Sequence, residues 1–280
     1  MATVRSVERM EQTRAAPGEH NGQRRWLLPA LAMPMAVFLT LPLLALVLRV
    51  DPVMFWQNVT NPTVVHAMTL SLTTGTIATG IVVVAGMPLA YLLARRQFRG
   101  RVVLDTFVDL PMILPPAVAG VALLLVFGRR GLLGPALETA GVPIVFTATA
   151  VVLAQVFVAA PYFIKSAAAG FAEVEQDLEQ AAALDGASGF AVFRYVTVAL
   201  AWPALLGGAV MTWARALGEF GATIIFAGNF PGRTQTMPLA IYLGFERDFD
   251  LAVTLAFILL GISFFVLMVV KVLLRNRAAV

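Results

Sequence analysis

The sequence predicts an all-α polytopic membrane protein with about six transmembrane helices. Apolar residues make up 59% of its 280 positions and charged ones only 13%, about half the charged share of an ordinary soluble domain. Mean hydropathy is +0.84. Six stretches are long and apolar enough to cross a hydrocarbon core, for which about 20 residues suffice. They run over Leu27–Leu48, Thr69–Leu93, Leu104–Phe127, Ile144–Ile164, Pro203–Phe226 and Leu251–Leu274. So little sequence lies between them that no soluble catalytic domain fits.

Residues 1–26 read as a polar, unpatterned tail containing Arg5, Arg9, Arg14, Arg24 and Arg25, expected to be disordered and cytoplasmic. The first span follows. It is long, and nothing after Val50 offers a small-residue cleavage site, so it reads as a retained span rather than a signal peptide. Together with the Asn-, Pro- and Thr-rich segment Arg49–Val65 it makes a first unit, 27–64; the second unit is 65–275.

The second span opens with hydroxyl and small residues: Thr69, Ser71, Thr73, Thr74, Gly75, Thr76, Ala78 and Gly80. Such residues let helices approach closely in lipid. The pattern fits helix packing and pathway lining equally, and Thr73 is the candidate lining residue. The third span begins with Asp105 and Asp109 and carries Pro111, Pro115 and Pro116. Proline frees backbone carbonyls that only protein or a water-filled cavity can satisfy, so a kink is expected, for shape or for a moving pathway.

Between the fourth and fifth spans the chain turns polar and small. The stretch 171–200, FAEVEQDLEQAAALDGASGFAVFRYVTVAL, holds Glu173, Glu175, Asp177, Glu179 and Asp185. Lipid penalises such charges, so this island must lie in water or against a protein. A compact helical segment kept outside the bilayer suggests a handle for a soluble partner.

The fifth span carries Trp213–Thr223, WARALGEFGAT. Arg215 and Glu219 are four apart and share a helix face. Ionisable groups within a span suggest function by default, and Thr223 lies close by. Two readings stay open: the pair neutralises itself, or Arg215 meets an anion. The sixth span is plainly apolar.

Basic residues fix an orientation. Fourteen lie in the tail, in the loop Arg95–Arg101, in the island (with Lys165 counted there) and at the C-terminus; five lie on the other side, and Arg215 lies within a span. The positive-inside rule then predicts both termini, the Arg95–Arg101 loop and the island in the cytoplasm. Because the basic residues sit at span ends, they orient the chain in a lipid bilayer, and no nucleic-acid partner is expected.

Other chemistry is thinly represented. Cysteine is absent, which excludes disulfides and thiolate metal sites. No His or carboxylate cluster has metal-ligand spacing, and no GxxxxGK[ST] run is present to cradle ATP phosphates. No catalytic residue, cofactor or metal is therefore expected on this chain. No halves repeat, which disfavours an inverted-repeat transporter, and a secondary transporter would need deep carboxylates, of which only Glu219 qualifies.

Glu179–Ser188 reads EQAAALDGAS. This resembles the EAA loop of ABC importer permeases, with Gln180 in place of the usual second Glu and Ala199 where a Pro is common. Gly186 suits the left-handed residue that ends a helix, and Ser188 can cap the next one, starting near Phe190. LPMILPPAVAGVALLLVFGRRGLLG, Leu110–Gly134, and RALGEFGATIIFAGNFPGRTQTMPLAIY, Arg215–Tyr242, are similar to permeases of the molybdate and tungstate branch, with sulfate and thiosulfate permeases as near relatives.

The resemblance covers Thr69–Leu274. It implies a type I importer permease fold in a prokaryotic inner membrane, with a cytoplasmic coupling helix. Glu179, Ala181, Ala182, Gly186, Ala187 and Ser188 would be its coupling residues, and Thr73, Arg215, Glu219 and Thr223 candidate pathway residues. It further implies a homodimer, a cytoplasmic ATPase subunit carrying the ATP and Mg, and an extracytoplasmic oxyanion-binding protein.

Overall fold

The computed structural model describes residues 21–277, with side chains from 28 to 275. Every regular element among them is helical. The chain divides after Arg49 into two units.

The first unit is one helix, α1, Asn21–Arg49, with Pro29, Pro34 and Pro42 inside it. It takes in Asn21–Arg25, which the sequence assigned to the tail; residues 1–20 of that expected tail lie outside the described residues. Its described side chains are exposed apart from the half-buried Leu46, as expected of a helix bathed in lipid.

The second unit starts earlier than the sequence suggested. The segment after Arg49 contains a short helix, α2, Pro52–Val59, whose N-terminal amides of Val53 and Met54 donate to the Asp51 side chain. It belongs with the C-terminal helix: Asn58 Nδ2 donates to Thr254 Oγ1 at 3.3 Å, and the Phe55 ring meets Phe257 edge-on.

Helix α3, Pro62–Arg95, is capped by Asn61 and buries Ser71, Gly75, Ala78, Val82, Gly86 and Ala90 along one stripe. At 34 residues it is about 51 Å long, well beyond the roughly 30 Å of a hydrocarbon core. The small stripe lets it lie against α7, Ala148–Glu173. Half of the apolar window of α7 is buried, the largest share of any long helix described, so α7 is the axis of the bundle.

The third expected span is broken. Helix α4, Arg101–Ile113, and helix α5, Pro116–Phe127, meet at 117°. Leu114 and Pro115 are extended, with ψ of 136° and 132°. Proline pushes the residue before it out of the helical region, and two successive prolines turn an expected kink into a corner. Helix α6, Gly134–Thr139, follows.

The island is shorter than expected, because both neighbouring helices reach into it. Helix α7 runs on through Glu173, and the next long helix, α9, covers Gly189–Leu217. Lys165, counted with the island, sits inside α7 with its ammonium 2.7 Å from Asp105 Oδ1 and 2.9 Å from Asp109 Oδ2. That neutralisation lets the helix continue past a charge. What remains outside is helix α8, Gln176–Leu184, and its links. Near its start α9 widens into a π-helical turn over Phe193–Thr197.

The fifth span, expected at Pro203–Phe226, therefore shifts toward the N-terminus. It ends at Leu217; Gly218–Phe220 break it, and α10, Gly221–Phe226, is a separate short helix. Helix α11, Met237–Arg247, and the last span, α12, Phe249–Arg277, complete the chain.

Three apolar clusters join these elements. Val82, Leu93, Phe163, Phe171 and Leu205 pack α3, α7 and α9. Ala119, Val151, Val158, Ala222 and Phe226 pack α5, α7 and α10. Val64, Met237, Ala240 and Leu255 pack α3, α11 and α12. At Gly120 a Cβ would stand 2.8 Å from Ile225 Cβ and 2.9 Å from the Ala222 carbonyl, so only glycine lets α5 and α10 lie this close.

Candidate functional site

The sequence singled out two groups of residues, and they lie at opposite ends of the bundle. Helix α3 measures the separation. Gly75 meets Leu217, the last residue of α9, whose Cδ2 would be 3.1 Å from a Cβ there. Arg95 ends α3 twenty residues later, about 30 Å away at 1.5 Å per residue, and it contacts α8.

At the α8 end, local chemistry fixes the shape. Asp177 and Glu179 stand in the first turn of α8, where the positive end of the helix dipole favours them. The helix stops by a Schellman arrangement: Gly186 N donates to Ala183 O and Ala187 N to Ala182 O, both at 3.1 Å. Gly186 has φ +92°, a conformation a side chain resists. Ser188 then caps α9, its hydroxyl accepting from Ala191 N. The helix–glycine–cap–helix design read from the sequence is present, with α9 starting at Gly189.

The residues expected to couple do not all face one way. Ala182, Ala187 and Glu179 are half-buried, while Ala181, Gly186 and Ser188 are exposed. Glu179 turns inward: its Oε1 accepts from Arg95 Nη2 at 3.1 Å and from the Thr197 hydroxyl at 2.6 Å. Two large apolar side chains of this segment stand in the open instead. Leu184 is 88% exposed and Phe190 76%. A groove of about 340 Å³ is lined by Glu173, Glu175, Leu178 and Leu200.

Sequence reasoning passed over Arg95, Thr197, Leu184 and Phe190. Large apolar residues in a segment kept out of lipid were a usable signal for the last two. Arg95 was hidden among four clustered arginines.

At the other end, the charged pair closes the last turn of α9. Arg215 Nη2 lies 2.7 Å from Glu219 Oε2. Glu219 Oε1 accepts from Ala222 N at 2.8 Å, so the carboxylate also caps α10. The pair sits where the helix breaks, not at mid-span. Around it Gln155 Nε2 donates to Ala216 O, and Ser71 Oγ accepts from Met237 N. Thr223 is fully buried and its hydroxyl has no hydrogen-bond partner. Thr73 is exposed and returns its hydroxyl to Thr69 O and Leu70 O of its own helix. It is Thr76 that reaches α9, accepting from Trp213 Nε1 at 3.3 Å.

Residues 86–276 match the family described as binding-protein-dependent transport system inner membrane component. The chain belongs to this family. Among relatives of this inner membrane component, the molybdenum transport system permease protein ModB of Mycobacterium tuberculosis is 44% identical over 242 residues, spanning 85% of this chain and 90% of that protein. The sulfate transport system permease protein CysW of Synechococcus elongatus is 37% identical over 225 residues, 80% of this chain and 78% of that one. In three dimensions it is similar to a bacterial ABC transporter that imports the polysaccharide alginate. The TM-score is 0.67 at 15% identity, covering 91% of this chain and 96% of that one. The fold is thus that of the type I importer permeases.

Proposed function

We propose that this chain is the membrane-spanning permease subunit of an ATP-driven importer that carries molybdate, or tungstate, across the inner membrane of a prokaryote. The observation that carries the reading is the similarity to the molybdenum-transport relative over most of both chains, greater than that to the sulfate-transport one.

In this reading α8 and both termini face the cytoplasm, as the arginine distribution favours. A cytoplasmic ATPase subunit, holding the ATP and Mg, seats on α8. Leu184 and Phe190 supply the apolar anchors of that contact, and the exposed acids Glu173, Glu175, Asp177 and Asp185 of the same segment call for a basic rim on the partner. Two copies of the permease form the pathway, and an extracytoplasmic oxyanion-binding protein delivers the anion at the Arg215 end. Closure of the ATPases on ATP displaces α8 and opens the pathway outward; hydrolysis resets it. Selection in the binding protein leaves this chain free of a tight anion site, which favours release. Hydroxyls and backbone amides suffice as lining.

Uptake of labelled molybdate in a strain lacking the chain, with and without it restored, is the test. Uptake should depend on the chain and resist excess sulfate. The sulfate-transport relative supports a second reading: if sulfate uptake is what the strain loses, the cargo is sulfate or thiosulfate.

A further inference from the structure

We propose that Arg95 is the residue through which movement of α8 reaches the membrane helices. This rests on the reading that α8 seats an ATPase.

The first observation is burial. Arg95 belongs to an arginine-rich loop, yet its side chain is only 9% exposed, while Arg96 and Arg99 stand in solvent. An arginine whose sole task is to orient the chain has no reason to leave water, since burying a charge is costly unless it is paired.

The second is convergence. Arg95 Nη2 donates to Val174 O at 2.8 Å and to Glu179 Oε1 at 3.1 Å. Val174 is the residue on which α7 ends. Thr197, in the widened turn of α9, donates to the same Oε1. One nitrogen and one oxygen thereby join the end of α3, the end of α7, α8 and α9. One turn before Arg95, Tyr91 meets Phe171 edge-on at 5.6 Å and Phe193 at 5.0 Å. These rings bridge the same three membrane helices.

The third is the thinness of any other attachment. No residue of α8 is buried, and only Glu179 and Ala182 are half-buried. Among the described residues, its side-chain hydrogen bonds to the bundle are those of the Glu179 clasp. A push on α8 is therefore delivered to α3 and α9 through Glu179. Arg95 Nε is buried without a hydrogen-bond partner. A two-pronged pairing with the carboxylate would satisfy it, so the clasp has a second arrangement to move into.

The test uses the permease–ATPase complex in proteoliposomes with the binding protein, comparing Arg95→Ala, Arg95→Lys and Thr197→Val. Three quantities are read: ATPase copurification, ATP hydrolysis, and molybdate imported per ATP. The proposal expects the ATPase to stay bound while import per ATP falls about tenfold in Arg95→Ala, less in Thr197→Val, with partial recovery in Arg95→Lys. Unchanged import per ATP in the variants that fold overturns it. Loss of the ATPase itself also overturns it, because Arg95 would then only hold the docking surface together. The docking reading is checked apart, by Leu184→Asp and Phe190→Asp: normal capture of the ATPase by both variants refutes the seat on α8, whatever Arg95 does.

Discussion

Glu219 is 1% exposed, whereas Arg215, its partner 2.7 Å away, keeps 26% of its side chain in the open. The two halves of the pair are therefore not equivalent. Loss of Arg215 strands a buried carboxylate. Loss of Glu219 leaves an arginine that can carry its charge outward on a flexible stem.

Arg215→Ala should consequently destabilise the protein more than Glu219→Gln, by about 3 kcal/mol if the buried charge stays uncompensated. The double variant should recover part of the loss. Thermal unfolding in detergent and the yield of monodisperse protein measure this. Plain additivity, or Arg215→Ala folding normally while transport stops, would favour a separate contact of Arg215 with the anion.

Gly186 has open space around its Cα: a Cβ would meet nothing within 4 Å. The whole penalty of a side chain there is backbone strain, about 1 kcal/mol or more for a β-branched residue. Gly186→Val should insert and fold yet lose uptake and ATPase stimulation, because the turn that aims α8 is altered. Gly186→Asn, which tolerates the left-handed region, should keep much of both.

Leu184 and Phe190 are exposed on this chain, so replacing them costs its own fold little. Leu184→Asp and Phe190→Asp should leave the permease folded and reduce ATPase copurification and uptake by about tenfold or more. Normal capture of the ATPase by both variants would move the docking surface elsewhere.

Membrane orientation can be read with single cysteines, since the chain has none. Gln180 and Pro231 are exposed at opposite ends. Gln180→Cys should react with an impermeant maleimide only from the cytoplasmic side, and Pro231→Cys only from outside. The reverse pattern would falsify the proposed orientation.

Hydropathy found the long apolar stretches, because length and apolar content are local properties, but not all their ends: the fifth begins at Gly189 rather than Pro203. It ran one span straight through the corner between Ile113 and Pro116, where the prolines had signalled only a kink, because a sliding average registers composition and not direction. It drew the island too wide for a related reason. Lys165 and Arg194 read as span-ending charges, but Lys165 is neutralised by two aspartates some sixty residues earlier, and the helix runs on. At the α8 end, Gly186 and Ser188 were legible because a turn and a cap are written within a few residues. The inward aim of Glu179 was not, because its partners Arg95 and Thr197 come from other helices and only the packed bundle brings them to it.

The widened turn at Phe193–Thr197 sets the phase of everything before it. An α-helix advances about 100° per residue, and a π-helical turn accommodates one residue more than an ordinary turn. Removing a single residue there would restore regular winding and swing Ser188–Val192 by about 100° around the axis of α9. Phe190 would then point to a different quadrant, and Phe193 and Thr197, which lie in the turn itself, would leave their places beside Tyr91 and Glu179. One inserted residue thus sets both the direction in which Phe190 is presented and the alignment of the Thr197 hydroxyl with the Glu179 carboxylate.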